Sequence, residues 1–347
     1  MMYSNGAVPV ILDTDMGNDI DDALALAMLH ALESRGECRL LGVTVCKDNP
    51  YAAAYVDAVN TFYGRGNIPV GVVSGGPTPE PGTFVEPIVN ARGAGGDAAF
   101  PRTAASPDDY APAVPLLRRL LARAEDASVT IVMIGFSTNM ARLLESGPDS
   151  ASPLDGRHLV ARKVGRVVMM AAEFSPAVLA DPSLKREYNV VNDVPSAQRF
   201  VAACPAPVVF SGLEVGRAVL YPAASIERDF AWAARHPVAE AYRLYQPMPY
   251  DRPTWDLTAV LYACRPGSAY FGLSGPGTAT VLPTGSVRFD ADPDGMHRYL
   301  TLDDAQRARV YEAQIALASQ PTRLAPQHPS SSPSRRRRPA LEDAPAR

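Results

Sequence analysis

Apolar and polar positions fall into blocks that predict strands and helices in alternation. Val8 to Leu12 is a short apolar run, the pattern of a buried strand. Ala23 to Leu32 places apolar residues on nearly every side (Leu24, Leu26, Met28, Leu29, Leu32), as in a helix packed deep within a domain. Leu40 to Cys46 reads as a second strand. Ala52 to Tyr63 reads as a second helix, stopped by Gly64 at the position of a C-terminal cap. Ile68 to Val73 predicts a third strand. Residues 74–112 are rich in Gly and Pro with little periodicity, and a stretch that long inside a compact domain is usually functional or mobile. The alternation then resumes. Helices are expected over Val114 to Glu125, from about Asn139, over Pro195 to Ala203, from Trp255 to Tyr262, and over Asp303 to Ala318. Strands are expected at Val129 to Ile134, Arg166 to Met170 and Val208 to Ser211. Such alternation predicts an α/β fold: an open, mainly parallel sheet with helices on both faces.

The chain has 347 residues, enough for one large α/β domain. The body is assigned to residues 1–320 and a disordered Pro/Ser/Arg-rich tail to 321–347. The tail carries six Arg against Glu342 and Asp343, so the body is more acidic than the whole chain's net charge of −4. That balance argues against nucleic-acid binding. The four cysteines (Cys38, Cys46, Cys204, Cys264) lack metal-ligand or disulfide spacing and are expected as buried thiols. Met1 to Pro9 has no cationic region leading into a long apolar one, and no apolar run approaches the ~20 residues of a membrane span. A cytoplasmic protein with no membrane partner is the expectation.

The chemistry concentrates after the first strand. Between Asp13 and Asp22 five carboxylates crowd together: Asp13, Asp15, Asp19, Asp21 and Asp22. The carboxyl end of a strand in an open α/β sheet is where ligands bind. Carboxylates this close repel one another unless a cation neutralises them. A hard divalent ion such as Ca²⁺ does so with oxygen ligands. Helix capping, at ~0.5–2 kcal/mol for a cap residue, accounts for one or two of the five. An EF-hand loop starting at Asp13 fails, because its fifth and sixth positions hold Gly17 and Asn18. The Asp-x-Asp start also suits a haloacid-dehalogenase-like phosphatase, but that pattern needs Thr or Val where Gly17 stands.

The same turn resembles the N-terminal signature of the nucleoside hydrolases, the inosine–uridine-preferring N-ribohydrolases, which reads Asp-Thr-Asp-x-Gly-x-Asp-Asp-Ala before an apolar helix. Asp13-Thr14-Asp15 and Asp21-Asp22-Ala23-Leu24 match, with two extra residues between them that make Asp19 a competitor for a ligand role. Four further segments follow in family order: Leu41-Gly42-Val43-Thr44 running into Asn49, Ile134-Gly135-Phe136-Ser137-Thr138-Asn139, Met169 to Phe174 followed by Glu187-Tyr188-Asn189, and Trp255-Asp256. Together they span roughly residues 8–265.

The resemblance implies Ca²⁺-dependent hydrolysis of the N-glycosidic bond of ribonucleosides, giving ribose and free base. Carried over residue by residue, it implies that Asp15, Asp22, Asp256 and the Ile134 carbonyl hold the ion. Asp15 would also be the general base, while Asp21, Asn49, Glu187 and Asn189 fix the ribose and Met170 packs beneath it. It further implies a homo-oligomer, dimer or tetramer, and a place in purine salvage. The chain departs from the family at its histidines. Where many members carry a leaving-group His before the last Asp, this chain has Trp255, and the His-Gly-x-x-Gly turn is matched only by Arg92-Gly93-Ala94-Gly95-Gly96. His30 is expected within a helix, His158, His236 and His297 in loops, and His328 in the tail, all with surface roles. Purine-specific relatives stack the departing base on a Trp at the position of Trp255, worth ~1–3 kcal/mol per base. Trp232 lies elsewhere in the chain, so Tyr110 or Phe84 is expected to close the other side. The competing readings are a family member acting on another N-riboside, a non-catalytic nucleoside- or ribose-binding protein, and the phosphatase.

Overall fold

The computed structural model describes residues 6–321. The tail expected to be disordered, with its Arg run and His328, lies outside the described residues from 322 onward. Seven parallel strands build the centre: β1 (Val8–Thr14), β2 (Cys38–Val45), β3 (Val70–Val72), β4 (Ala111–Pro112), β5 (Val129–Met133), β6 (Val164–Met170) and β7 (Val208–Ser211). From β1 the chain steps outward through β2 and β3 to β4, then returns to pair β5 with β1 and continues through β6 to β7. The direction of winding therefore reverses between β1 and β5. At such a switch point the loops leaving two adjacent strands diverge and open a crevice.

Strand periodicity distributes the apolar residues to two cores. In β1, Val10 and Leu12 join one core and Ile11 the other; in β6, Val168 and Met170 part from Val167 and Met169. The first core takes in α1 (Asp21–Ser34), α2 (Pro50–Phe62) and the Trp255–Cys264 helix. α1 is buried on every side from Asp21 to Leu32, as its unbroken apolar pattern requires, and packs directly on the Trp255–Cys264 helix. α2 ends as expected, with Gly64 at a φ of 72° just beyond Tyr63. All four cysteines are free and buried. No helix among the described residues is long and apolar enough to cross a membrane.

Three expectations are corrected. Residues 74–112 are more regular than their composition suggests, with a helix at Val85–Asn90 and the edge strand β4. Beyond the last predicted strand, Gly277–Val281, Val287–Ala291 and His297–Thr301 extend the sheet past β7, and only the last of these pairs in parallel with it. Finally, His30, His236 and His297 are buried, His297 on a strand and His236 capping the Pro237–Tyr245 helix. Among the described histidines, only His158 is at the surface, on the Gly156–Lys163 helix.

His30 and His236 flank Tyr63. His30 stacks on its ring at 4.7 Å, while His236 Nε2 lies 3.2 Å from its hydroxyl and its Nδ1 accepts the Val238 N–H. Burial pushes both imidazoles down to about 3. The folded state keeps them neutral, whereas the unfolded chain takes up protons below about pH 6.5. Their contribution to stability is therefore present above pH 6.5 and lost as the pH falls from there toward 3. Buried aspartates with raised pKa values act in the opposite sense, so the measurement is a comparison. Across pH 4.5–6.5, His236→Phe is expected to make the slope of unfolding free energy against pH less positive by up to ~1.4 kcal/mol per pH unit. Parallel wild-type and variant profiles would refute the assignment.

Candidate active site

The crevice at the switch point is a cavity of about 360 Å³, a size that admits a small polar ligand. β1 ends by delivering Asp15 to it, and β5 delivers Ile134 from the adjoining strand end, with the Ile134 N–H bonded to the Asp13 carbonyl at 2.8 Å. The close approach of these two strand ends depends on Gly135. A Cβ there would stand 2.5 Å from the Asp15 nitrogen and 2.6 Å from Cys46 Sγ. Two helices contribute their first turns: Asp21 and Asp22 open α1, and Trp255 and Asp256 open the Trp255–Cys264 helix. Helix N-termini favour negative charge, and the Asp256 N–H donates to Asp21 Oδ2 at 3.1 Å.

These carboxylates are buried. Burial pushes Asp15 up to about 6, and holds Asp21, Asp22 and Asp256 well above the usual carboxylate range, with their mutual repulsion adding to it. Asp21, Asp22 and Asp256 present ligand oxygens that all lie within 4.8 Å of one another. A donor set of oxygens alone, with excess negative charge, fits a hard divalent cation. The expected ligand set was Asp15, Asp22, Asp256 and Ile134. The tightest grouping contains Asp21 instead of Asp15, though Asp15 lines the same cavity and raises the pKa of Asp22. Asp13, at the strand's end, is tied to Thr44 Oγ1 (2.5 Å) and Asn139 Nδ2 (2.8 Å) beneath the site. Thr14 donates to Asp22.

Of the other expected residues, Met170, Glu187, Asn189 and Trp255 all line the cavity. Glu187 caps a short helix, Tyr188–Val191, accepting the N–H groups of Asn189 and Val190, and burial pushes it up to about 7. Asn189 Nδ2 donates to the Met170 carbonyl (3.1 Å) and reaches the Ile134 carbonyl at 3.4 Å. Trp255 is fixed by its Nε1, which donates to the Leu213 carbonyl at 3.0 Å, and by Gly216, where a Cβ would stand 2.3 Å from the Trp255 Cα.

Asn49 is a correction. It caps α2, accepting the Tyr51 N–H and donating to the Pro79 carbonyl, and it is not among the cavity residues. Its place before Pro50 made it a helix start first of all. The second aromatic wall is corrected too. Tyr110 donates to Asp57, and Phe84 is buried against Tyr55 and Tyr245. Tyr188 and Tyr245 line the cavity with Trp255 instead. Trp232 packs on Phe62 and His236. Among the described residues, no histidine lines the cavity.

Sequence reasoning also missed Asn18, Leu213 and Arg252. Asp19, a competitor for the ion by its spacing, is engaged by Arg252 in an ion pair. Arg252 stands three residues before Trp255, and that nearness was the one signal available in the chain.

A parallel sheet with a cleft at its switch point, lined by buried carboxylates that fit a divalent cation and by aromatic rings, defines an α/β protein with a candidate small-ligand site. The family model for the inosine-uridine preferring nucleoside hydrolases matches residues 10–324, and the chain belongs to that family, one of hydrolases acting on N-glycosyl bonds. The phosphatase alternative falls with that result. Similar proteins include a pyrimidine-specific ribonucleoside hydrolase, RihA, of Enterobacter sp. (strain 638), 31% identical over 225 residues, which are 64% of this chain and 65% of that protein. RihA of Escherichia coli (strain SMS-3-5 / SECEC) is 30% identical over 216 residues, 60% of this chain and 61% of that one. The chain thus spans somewhat under two thirds of these relatives' length. The purine-preferring ribonucleoside hydrolase from Gardnerella vaginalis shares the fold with a TM-score of 0.65 at 20% identity, covering 90% of this chain and 99% of that one.

The Gly135 contact yields a test of how the site is held. Gly135→Ala is expected to destabilise the protein by about 1–3 kcal/mol in denaturant unfolding, because the new methyl group strikes backbone rather than a flexible side chain. Gly147→Ala, where nothing lies within 4 Å of the new Cβ, serves as the control and should be neutral. Equal behaviour of the two would contradict the close approach.

Proposed function

We propose that this chain hydrolyses the N-glycosidic bond of ribonucleosides with Ca²⁺ in the acidic cleft, releasing ribose and the free base. The observation that carries the reading is the convergence of Asp15, Asp21, Asp22 and Asp256 on one open cavity beside aromatic rings. Breaking this bond builds oxocarbenium-like positive charge on the sugar, which a carboxylate-lined floor stabilises. Asp22 and Asp256, with Asp15, Asp21 and the Ile134 carbonyl around them, would hold Ca²⁺, which when bound would supply Lewis acidity and a template for the ribose hydroxyls. Asp15 takes the proton of the attacking water. Asp21, Glu187 and Asn189 orient the ribose, with Met170 against the sugar.

Trp255 on the cavity wall supports a preference for purines, whose larger ring system gains more from stacking. The pyrimidine-specific RihA relatives favour the second reading, uridine and cytidine. A panel of kcat/KM values for inosine, adenosine, guanosine, uridine and cytidine separates the two.

Chelation is expected to abolish ribose release, and added Ca²⁺ to restore it. Asp15→Asn should lower kcat by about 10²–10⁴-fold, the usual range for losing a general base. Ribose release indifferent to chelation would overturn the cation's role. Tight nucleoside binding with no ribose release at high protein concentration would make the chain a binding protein instead.

A further inference from the structure

A nucleoside hydrolase must deal with the departing base, and among the described residues no histidine lines this cavity to protonate it. One cation does line it beside the base-stacking candidate. The Arg252 guanidinium centre lies 5.1 Å from the ring centroid of Trp255 and 5.1 Å from that of Tyr245. It is pinned from the edge by Asp19: Nε donates to Oδ1 at 2.9 Å and Nη2 donates to Oδ2. Nη2 also donates to the Tyr245 hydroxyl at 3.1 Å. Among the described residues, no protein acceptor engages Nη1. Both partners are substantially buried, with 19% of the Arg252 and 25% of the Asp19 side chain exposed. Asp19 belongs to the stretch where this chain carries two residues more than the family signature, so the pair is a feature of this sequence and not of the signature.

From this geometry we infer that Arg252, held against Trp255 and Tyr245 by Asp19, stabilises the departing base as an anion and does the work of a missing proton donor. The inference rests on the N-ribohydrolase reading. A guanidinium does not give up a proton at neutral pH. It can, however, make a charge-assisted hydrogen bond to an oxygen that gains negative charge, and such bonds are roughly twice as strong as neutral ones. In a site that excludes water, a donor fixed beforehand acts without reorganisation. The step balances. The C1′–N bond breaks with its electron pair passing to the base, while the water oxygen bonds to C1′ and its proton passes to Asp15. The base departs as an anion, its charge shared with a ring carbonyl oxygen beside Arg252. It then takes a proton from solvent, and Asp15 returns its own proton to solvent. Bases with a ring carbonyl, as in inosine and uridine, can use this arrangement. Adenine carries no such oxygen.

The plain alternative is that the pair only ties the acidic turn to the segment before Trp255. The two are separated by leaving-group dependence. The variants are Arg252→Gln and Arg252→Lys, assayed as full chains with Ca²⁺ on inosine, uridine, adenosine and 4-nitrophenyl β-D-ribofuranoside. The nitrophenolate leaves without help, so its riboside reports on every part of the site except leaving-group stabilisation. Arg252→Gln is expected to lower kcat on inosine and uridine by about 10²–10³-fold, the cost of removing one oxyanion donor. Turnover of the nitrophenyl riboside should fall by far less than that of inosine, and adenosine too should lose less than inosine. Arg252→Lys should fall between, since it keeps the charge but not the fork that Asp19 holds. An equal loss on all four substrates, or no loss on inosine, overturns the inference while leaving the proposed function standing. A wild-type protein inert on every riboside overturns both.

Discussion

Everything at this site depends on keeping several carboxylates together away from water. Asp15, Asp21, Asp22 and Asp256 are buried within one cavity wall, and burial and mutual repulsion both act against their charged forms. Such a cluster is stable as anions only with a cation in its midst or with protons on some of its members. The architecture gathers the charges at the places least hostile to them. Two come from the first turn of α1 and one from the first turn of the Trp255–Cys264 helix, where backbone N–H groups point outward. The deep packing of these two helices against one another fixes the separation of their N-termini, and so the spacing of the carboxylates.

Beside the carboxylates the cavity lining changes character. Trp255, Tyr245 and Arg252 form a stack in which the cation lies over both rings, and Asp19 balances its charge. The cavity thus combines an anionic floor with an aromatic side that carries a cation, and the proposed function would set the sugar on the first and the base on the second. A ribonucleoside has the matching division: hydroxyls and developing positive charge at one end, a π system and developing negative charge at the other.

Much of the framework was legible along the chain because its elements are strongly patterned. Parallel strands buried on both faces read as apolar runs, and β7 lies where the pattern put it, at Val208–Ser211. The strands beyond β7 were not legible. Gly277–Val281 buries alternate residues, with Thr278 exposed between Gly277 and Ala279, and five residues of weak alternation lie below what periodicity can resolve. The buried histidines failed for another reason. His236 follows charged Arg235 and precedes Pro237, a local context that reads as a turn. It is buried because Phe62 and Tyr63, from a distant segment, pack on it together with the nearby Phe230 and Trp232.

The sequence by itself determined the order of the strongly patterned strands and helices as far as β7, the acidic turn between β1 and α1, and the candidate residues at strand ends, because spacing and turn chemistry are local properties. Only the tertiary structure decided which candidates meet. Asp256 joins Asp21 across 235 positions, and Arg252 joins Asp19 across 233, through helix packing that no local pattern encodes. The same packing left Asn49 at the start of α2, where its hydrogen bonds are spent on the backbone of its own helix and of Pro79. Residue type and spacing nominate a ligand. Whether it faces the cavity is set by the direction in which its element is packed.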